Sequence, residues 1–379
     1  MINMKPLQMV DLVGQYHKIR DEINLAIQQV LDSAAFINGA PVRQFAENLS
    51  RYLNVKHVIP CGNGTDALQI ALMALDLKPG DEVIVPAFSY IASAEAAALL
   101  GLVPVFVDVD ENTFNLDVNQ LEAALSPKTK AIIPVHLFGQ SCDMETVMAF
   151  AKKQELFVLE DNAQAIGSDF RFSSGICRKT GTIGHIGCLS FFPSKNLGAF
   201  GDGGAMLTND DALAEKLRMI ANHGQAKKYY HSLIGCNSRL DTLQAAILDV
   251  KLKHLDEYIA ARQAAAERYF DLLKEVPEVI LPNVEERSKH VFHQFTLQVP
   301  KEKRDALKQA LQDAGVPSMI YYPVPLHRQQ AFAGQCRISG ELAVSEKLSE
   351  TVLSLPMHTE LTEEMQQRIC NKIKEFMCK

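Results

Sequence analysis

Three short segments carry side chains able to do chemistry. In Ser190-Phe-Phe-Pro-Ser-Lys195-Asn-Leu-Gly-Ala-Phe-Gly-Asp-Gly-Gly204, Lys195 lies among Phe191, Phe192, Pro193 and Phe200, beside four glycines. Desolvation disfavours an ammonium, lowers its pKa and frees the amine as a nucleophile. Such an amine suits imine formation with an aldehyde. A surface lysine in a glycine turn is the plainer alternative. The second segment is Leu156-Phe-Val-Leu-Glu-Asp161-Asn-Ala-Gln164. A carboxylate at the end of a buried strand is costly unless a cation pairs with it. A protonated ring nitrogen is one such cation; a helix cap or a structural ion pair is the alternative. The third is Cys61-Gly-Asn-Gly64-Thr65-Asp66-Ala67. Free N–H groups at a helix start bind a phosphate dianion, whereas a tight turn with a Thr cap would bind nothing. This segment lacks the lysine of a Walker loop and the glycine spacing of a dinucleotide loop.

These groups need elements that bring them together. Short apolar runs at His57–Cys61, Glu82–Pro86, Val103–Val109, Ala131–Val135 and Leu156–Glu160 read as strands buried on both faces. Helical patterns separate them, as at Ala67, Leu68, Ala71, Leu72 and Leu75. The alternation predicts a mostly parallel sheet with helices on both faces. Ligands of such sheets bind beyond the carboxyl ends of the strands, where Cys61–Asp66, Pro86–Tyr90, Pro134–Gln140 and Glu160–Gln164 fall. Cys188–Asn209 reads as two strands around a glycine-rich loop. One long helical stretch spans Leu240–Val276, followed by a strand at Val291–Val299 and helices at Lys303–Ala314, Leu342–Thr351 and Thr362–Met377. The division is therefore a large α/β unit over 1–245, with a lead-in able to pack on the second unit, and a smaller α+β unit over 246–379. A phosphate cradle, a carboxylate for a ring nitrogen and an amine for an aldehyde on one sheet edge are what pyridoxal 5′-phosphate needs.

Composition narrows the classes. The 379 residues are 47% hydrophobic and 22% charged, which excludes a largely disordered chain. A net charge of −7 argues against nucleic-acid binding and leaves room for a local basic pocket. No run approaches the roughly 20 apolar residues of a membrane span, and the start lacks the features of a secretory signal. The eight cysteines and eleven histidines are dispersed. That pattern favours reduced cytoplasmic thiols and no metal site.

The motifs resemble the DegT/DnrJ/StrS sugar aminotransferases, within the aspartate-aminotransferase-like, fold-type-I pyridoxal phosphate enzymes. They are Asn63–Leu68, Pro86–Tyr90, Pro134–Gln140, Glu160–Gln164, Ser190–Lys195, Gly201–Gly204, Asn237–Asp241, Tyr322–His327 and Ser354–His358, and they cover nearly the whole chain. The resemblance implies that Lys195 bonds to the cofactor aldehyde and that Asp161 pairs with the ring nitrogen. It also implies that Gln164 reaches the phenolic oxygen, that Ser190 and the Gly64 and Thr65 amides hold the phosphate, and that Tyr90 covers the ring. Asn237 matches a residue that reaches the neighbouring subunit's cofactor, which implies a homodimer with shared sites. Arg239, Tyr322 and His327 sit in segments that border the substrate, and the basic loop His223–His231 suits a nucleotide diphosphate. The nearest subfamily acts on UDP-2-acetamido-2-deoxy-3-oxo-glucuronate, with glutamate as amino donor, for surface polysaccharide such as lipopolysaccharide. A dTDP-3-oxo-6-deoxyhexose aminotransferase and a non-catalytic regulatory protein are the alternatives. A dehydratase of this scaffold would have histidine in place of Lys195. The segment Ser168–Gly187, with His185, departs from the family's usual short hairpin.

Overall fold

The computed structural model describes residues 6–378. The first five residues, part of the start read above as lacking a signal, and Lys379, the last of the second unit, lie outside the described residues. The chain opens with α1 (Leu12–Lys18), α2 (Arg20–Ser33) and α3 (Ala40–Leu53), then enters β1 (His57–Cys61), α4 (Gly64–Ala74), β2 (Glu82–Pro86), α5 (Ala92–Leu99) and β3 (Val103–Val107). There follow β4 (Thr129–Ile132), α6 (Met144–Lys153), β5 (Phe157–Asp161), the hairpin β6 (Asp169–Arg171) and β7 (Cys177–Lys179), β8 (Ile186–Ser190), β9 (Gly204–Thr208) and α7 (Asp211–Ala221). A second hairpin, β10 (Gln225–Lys227) and β11 (Tyr230–His231), precedes α8 (Thr242–Leu252) and α9 (Leu255–Leu273). The rest comprises β12 (Phe295–Gln298), α10 (Lys301–Asp313), β13 (Arg337–Ile338), α11 (Ala343–Thr351), β14 (Val352–Leu355) and α12 (Glu363–Met377).

Eight strands form one sheet in the order β1-β9-β8-β5-β4-β2-β3-β13. Only the pairs β1–β9 and β9–β8 are antiparallel. Successive strand side chains point to opposite faces, and the two faces bury different helices. Val83, Val85, Leu159 and Cys188 join α4, α5 and α7 on one face. Ile84, Ile132 and Val158 join α6 on the other. The predicted α/β fold is the observed one.

The remaining differences from the sequence reading have physical causes. The long helical stretch is broken at Lys253–His254. His254 is tied to Glu22 of α2 at 3.1 Å; α8 and the start of α9 (Leu255, Ile259) pack with α3 and β8–β9, while the later part of α9 (Ala265, Ala266, Tyr269, Leu273) packs with α12 and β12. The strand expected over Val291–Val299 begins only at Phe295. Ahead of it the carbonyls of Lys289, His290, Val291, Phe292 and His293 accept from Ser168, Gln263, Asn196 and Arg262 side chains, so they are not free for a ladder. Residues beyond 246 also return to the large sheet: β13 pairs with β3, and Leu326, Phe332 and Leu342 join its core. Leu7 packs among α9, α10 and α12 side chains. We propose that the two units divide at the Lys253–His254 break, because α8 is buried against α2 and α3.

Candidate active site

The start of α4 makes the floor. Asn63 caps the helix by accepting Asp66 N–H at 2.8 Å. Among the described residues no acceptor faces the Gly64 or Thr65 N–H. These amides lie at the positive end of the helix dipole. A Cβ on Gly64 would lie 2.7 Å from Ser190 Cβ, and one on Gly204 would lie 2.3 Å from the Asn63 carbonyl oxygen. The helix start and the ends of β8 and β9 therefore approach as bare backbone. This is a cradle with amide donors and the Ser190 hydroxyl, the donor set a phosphate requires.

Asp161 ends β5 on the same face of the sheet. Its Oδ2 accepts from Ser93 of α5 at 2.7 Å, and its Oδ1 accepts from Ala163 N–H at 3.1 Å. The preceding residue points the other way. Glu160, fully buried, accepts from the N–H groups of Gly181, Ile183 and Gly184 at 2.7, 2.7 and 2.6 Å. It also faces His136 Nε2 at 2.9 Å, and since Cys142 N–H donates to His136 Nδ1, Nε2 carries the proton toward it. The atypical segment 168–187 thus closes over Glu160. His185 within it accepts Val158 N–H at 2.9 Å, and burial lowers its pKa.

Lys195 sits on the loop between β8 and β9. Its backbone N–H closes a turn onto Phe192 at 2.8 Å. Burial pushes the amine down to about 8, against the opposing pull of the Asp161 charge. The amine and the carboxylate are thus within reach of each other's fields. Of the aromatic residues flanking Lys195, Phe191 is buried against Phe45, with ring centroids 5.4 Å apart, whereas Phe192 and Phe200 are exposed in the single chain. The expected apolar setting comes from the core rather than from all the neighbouring phenylalanines.

Gln164 Oε1 accepts Phe138 N–H at 2.7 Å, and its Nε2 donates to the Tyr322 hydroxyl at 3.0 Å. Tyr322 lies 6.2 Å from Tyr90 between ring centroids, and burial raises its pKa. Leu326 N–H donates to the Ala87 carbonyl at 2.8 Å, fastening the Tyr322–His327 segment beside the turn that carries Tyr90. His327 Nε2 is 3.1 Å from Glu346, and its buried Nδ1 has no partner among the described residues. The expected Gly64, Thr65, Tyr90, Asp161, Gln164, Ser190, Lys195 and Tyr322 thus gather at the carboxyl ends of the strands.

Asn237 and Arg239 stand apart. Among the described residues neither makes a side-chain hydrogen bond or ion pair with that group. Between them Ser238 bonds Gly62 N–H and Asp66 at 2.9 and 2.6 Å, turning inward, while Asn237 is exposed and Arg239 lines a surface groove with Arg43 and Arg218. Ser93, Glu160 and His136 were missed as supports. A serine within an alanine-rich helix is a faint signal for the first; the others lie in the strand-end segments Pro134–Gln140 and Glu160–Gln164, where nothing local marks their pairing.

A sequence model described as the DegT/DnrJ/EryC1/StrS aminotransferase family matches residues 17–374. The chain belongs to this aminotransferase family. Its curated relatives include the "Pleiotropic regulatory protein" of Geobacillus stearothermophilus, 48% identical over 97% of this chain and 98% of the relative. A UDP-N-acetyl-3-dehydro-alpha-D-glucosamine 3-aminotransferase of Acidithiobacillus ferrooxidans is 47% identical over 98% of each chain. The UDP-2-acetamido-2-deoxy-3-oxo-D-glucuronate aminotransferase of Pseudomonas aeruginosa is 44% identical over 96% of this chain and 98% of its own. Among solved structures, a DegT/DnrJ/EryC1/StrS aminotransferase from Brucella abortus superposes with a TM-score of 0.94 at 43% identity, covering 98% of this chain and 100% of that one. NtdA from Bacillus subtilis, with bound cofactor PMP, gives 0.91 at 32% identity, over 100% of this chain and 87% of its own. As a DegT/DnrJ/EryC1/StrS aminotransferase the protein uses pyridoxal phosphate, and the cradle, the Asp161 carboxylate and the Lys195 amine fit that group. Among the described residues no cluster of His, Cys, Asp or Glu is placed to hold a metal, and no helix is long and apolar enough to cross a membrane.

Proposed function

We propose that the protein moves an amino group from glutamate to C3 of UDP-2-acetamido-2-deoxy-3-oxo-glucuronate, for surface polysaccharide, as a cytoplasmic homodimer with shared sites. The observation that carries the reading is Lys195 within charge reach of Asp161, beside the Gly64–Ser190 cradle. Bound pyridoxal phosphate supplies an aldehyde and an electron-accepting ring. Gly64 N–H, Thr65 N–H and Ser190 Oγ would hold its phosphate. Asp161 would keep the ring nitrogen protonated, Gln164 would reach the phenolic oxygen, and Tyr90 would cover the ring. Lys195 Nζ would be the amine that meets the cofactor aldehyde before the amino donor takes that place. Its free amine would then carry a proton between the donor Cα and the cofactor C4′. A pKa of about 8 leaves it able to take and return that proton near neutrality.

Asn237 is exposed beside the inward-turned Ser238, as a residue reaching a neighbouring subunit's cofactor would be. Arg239 supplies a guanidinium for a sugar carboxylate or diphosphate, and Tyr322 and His327 border the sugar. The exposed hairpin β10–β11 carries Lys227, Lys228, Tyr229 and Tyr230, a suitable contact for the nucleotide diphosphate. The eight unpaired cysteines fit a reducing compartment. The relative acting on a UDP-3-dehydro-glucosamine favours a second reading, the same C3 amination on a sugar without the carboxylate.

The test is incubation with glutamate and a panel of UDP- and dTDP-linked 3-oxo sugars. Formation of 2-oxoglutarate and a 3-amino sugar from the UDP-glucuronate substrate alone is expected. Equal turnover of the glucosamine analogue supports the second reading. A protein inert toward every sugar and donor overturns both and favours the regulatory role.

A further inference from the structure

Two lysines lie near the glycine-rich loop, Lys195 half-buried and Lys251 buried, and only Lys195 has a role in the reading above. Lys251, on α8, is 1% exposed. Its Nζ donates to the Gly198 carbonyl at 2.5 Å and lies 5.6 Å from the centre of the Phe200 ring. No carboxylate lies within ion-pair distance of it among the described residues. A buried ammonium without a counter-ion is expensive, and a leucine or methionine would fill the same place on the helix at less cost. What the ammonium adds is a charge-assisted hydrogen bond, stronger than a neutral one.

Gln244 lies seven residues earlier on the same helix, about two turns away and on the same face. Its Oε1 accepts Phe200 N–H at 2.8 Å. The helix therefore grips Gly198–Phe200 at both ends. The turn leading there is tight: a Cβ on Gly198 would lie 2.2 Å from the Pro193 carbonyl oxygen. Lys195 falls between Pro193 and Gly198, so the position of the Gly198 peptide is passed directly to it.

We propose that Lys251 is a positioning residue: its ammonium holds the Gly198 carbonyl and so fixes the turn that presents Lys195 to the cofactor aldehyde. This rests on the reading of Lys195 given under Proposed function. Burial and the charge of Arg262 push Lys251 down to about 8, which agrees with an ammonium held at the expense of solvation.

The test uses the full chain freed of cofactor, with Lys251→Met and Lys251→Arg beside the unaltered protein. Pyridoxal phosphate is added and the mixture quenched with borohydride. Lys195 Nζ bonds the aldehyde carbon with loss of one water; hydride then adds to that carbon and a solvent proton to the nitrogen, leaving a stable label on the Lys195 peptide. Pyridoxamine phosphate, which has an amine in place of the aldehyde and forms no bond to lysine, reports on the cradle alone. Lys251→Met is expected to slow labelling about 100-fold, the cost of a misplacement near 1 Å, with pyridoxamine phosphate affinity within about twofold of normal. Lys251→Arg, which keeps a charged donor, recovers most of the rate. Labelling at the normal rate in Lys251→Met overturns the proposal, as does an equal loss in both measurements. Should that variant not fold, Gln244→Leu, which frees Phe200 N–H, is expected to slow labelling about tenfold, and a normal rate there is equally fatal. Absence of label on Lys195 in the unaltered protein overturns the functional reading itself, an outcome separable from a failure at Lys251.

Discussion

Glu160 and Asp161 are neighbours on β5, carry the same chemical group and are both buried, yet they face different regions of the molecule. On the α6 side, Glu160 receives three backbone N–H groups and a histidine. An ionised carboxylate offers about four acceptor sites, so this one is spent, and it works as a clasp for the 181–184 turn. On the α4–α5 side, Asp161 receives one hydroxyl and one N–H. It is held in place and still has room for a cationic donor. Burial and charge alone would have marked both as candidate catalysts. Unspent acceptor capacity, facing the cradle and Lys195, separates the reactive face from the scaffold.

The comparison can be broken by substitution. Asp161→Asn should lower kcat by roughly 10²–10³-fold, the range for loss of one preorganised electrostatic group, with little change in Tm. Steady-state kinetics and a thermal melt check this, and a normal kcat would erase the distinction. Glu160→Gln should do the reverse. It leaves several buried donors facing a weaker acceptor and should cost about 1–3 kcal/mol of stability, read by urea unfolding, while kcat per folded molecule stays close to normal.

Two smaller effects sharpen the reactive side. Labelling of Lys195 by pyridoxal phosphate and borohydride should rise with pH and level off above about 8, because the folded-state amine is protonated below that value and free above it. Between pH 7 and the plateau the gain should be about tenfold, and a midpoint near the ordinary lysine value would contradict the buried setting. Ser93→Ala removes one hydrogen bond to the Asp161 carboxylate and should cost about 1.5–3 kcal/mol of its orientation, seen as a fall in kcat of at least about tenfold with KM nearly unchanged.

Much of this was legible from residue order. His57–Cys61 and Glu82–Pro86 coincide with their strands end to end, since each is a short β-branched run closed by polar residues. The helix after Gly64 was legible from the spacing of Ala67, Leu68, Ala71, Leu72 and Leu75, although its cap is Asn63 and not a threonine. Less visible was the irregular backbone at Lys289–His293. Apolar residues there suggested a strand, but side chains from remote parts of the chain took the carbonyls. The role of residues 181–184 was hidden for the same reason: their N–H groups serve a carboxylate some twenty positions earlier.

By itself the sequence determined the alternating sheet, the glycine approach at the helix start and the presence of an amine and a carboxylate at strand ends. Those depend on local conformational preference and on the two-residue and 3.6-residue periods of strands and helices. Only the tertiary structure decided which carboxylate keeps free acceptor sites, which lysine is tied to a carbonyl, and that Asn237 and Arg239 stand outside the cluster of their own chain. Such outcomes follow from where distant donors and acceptors land, and hydrogen-bond capacity is spent in space rather than along the chain.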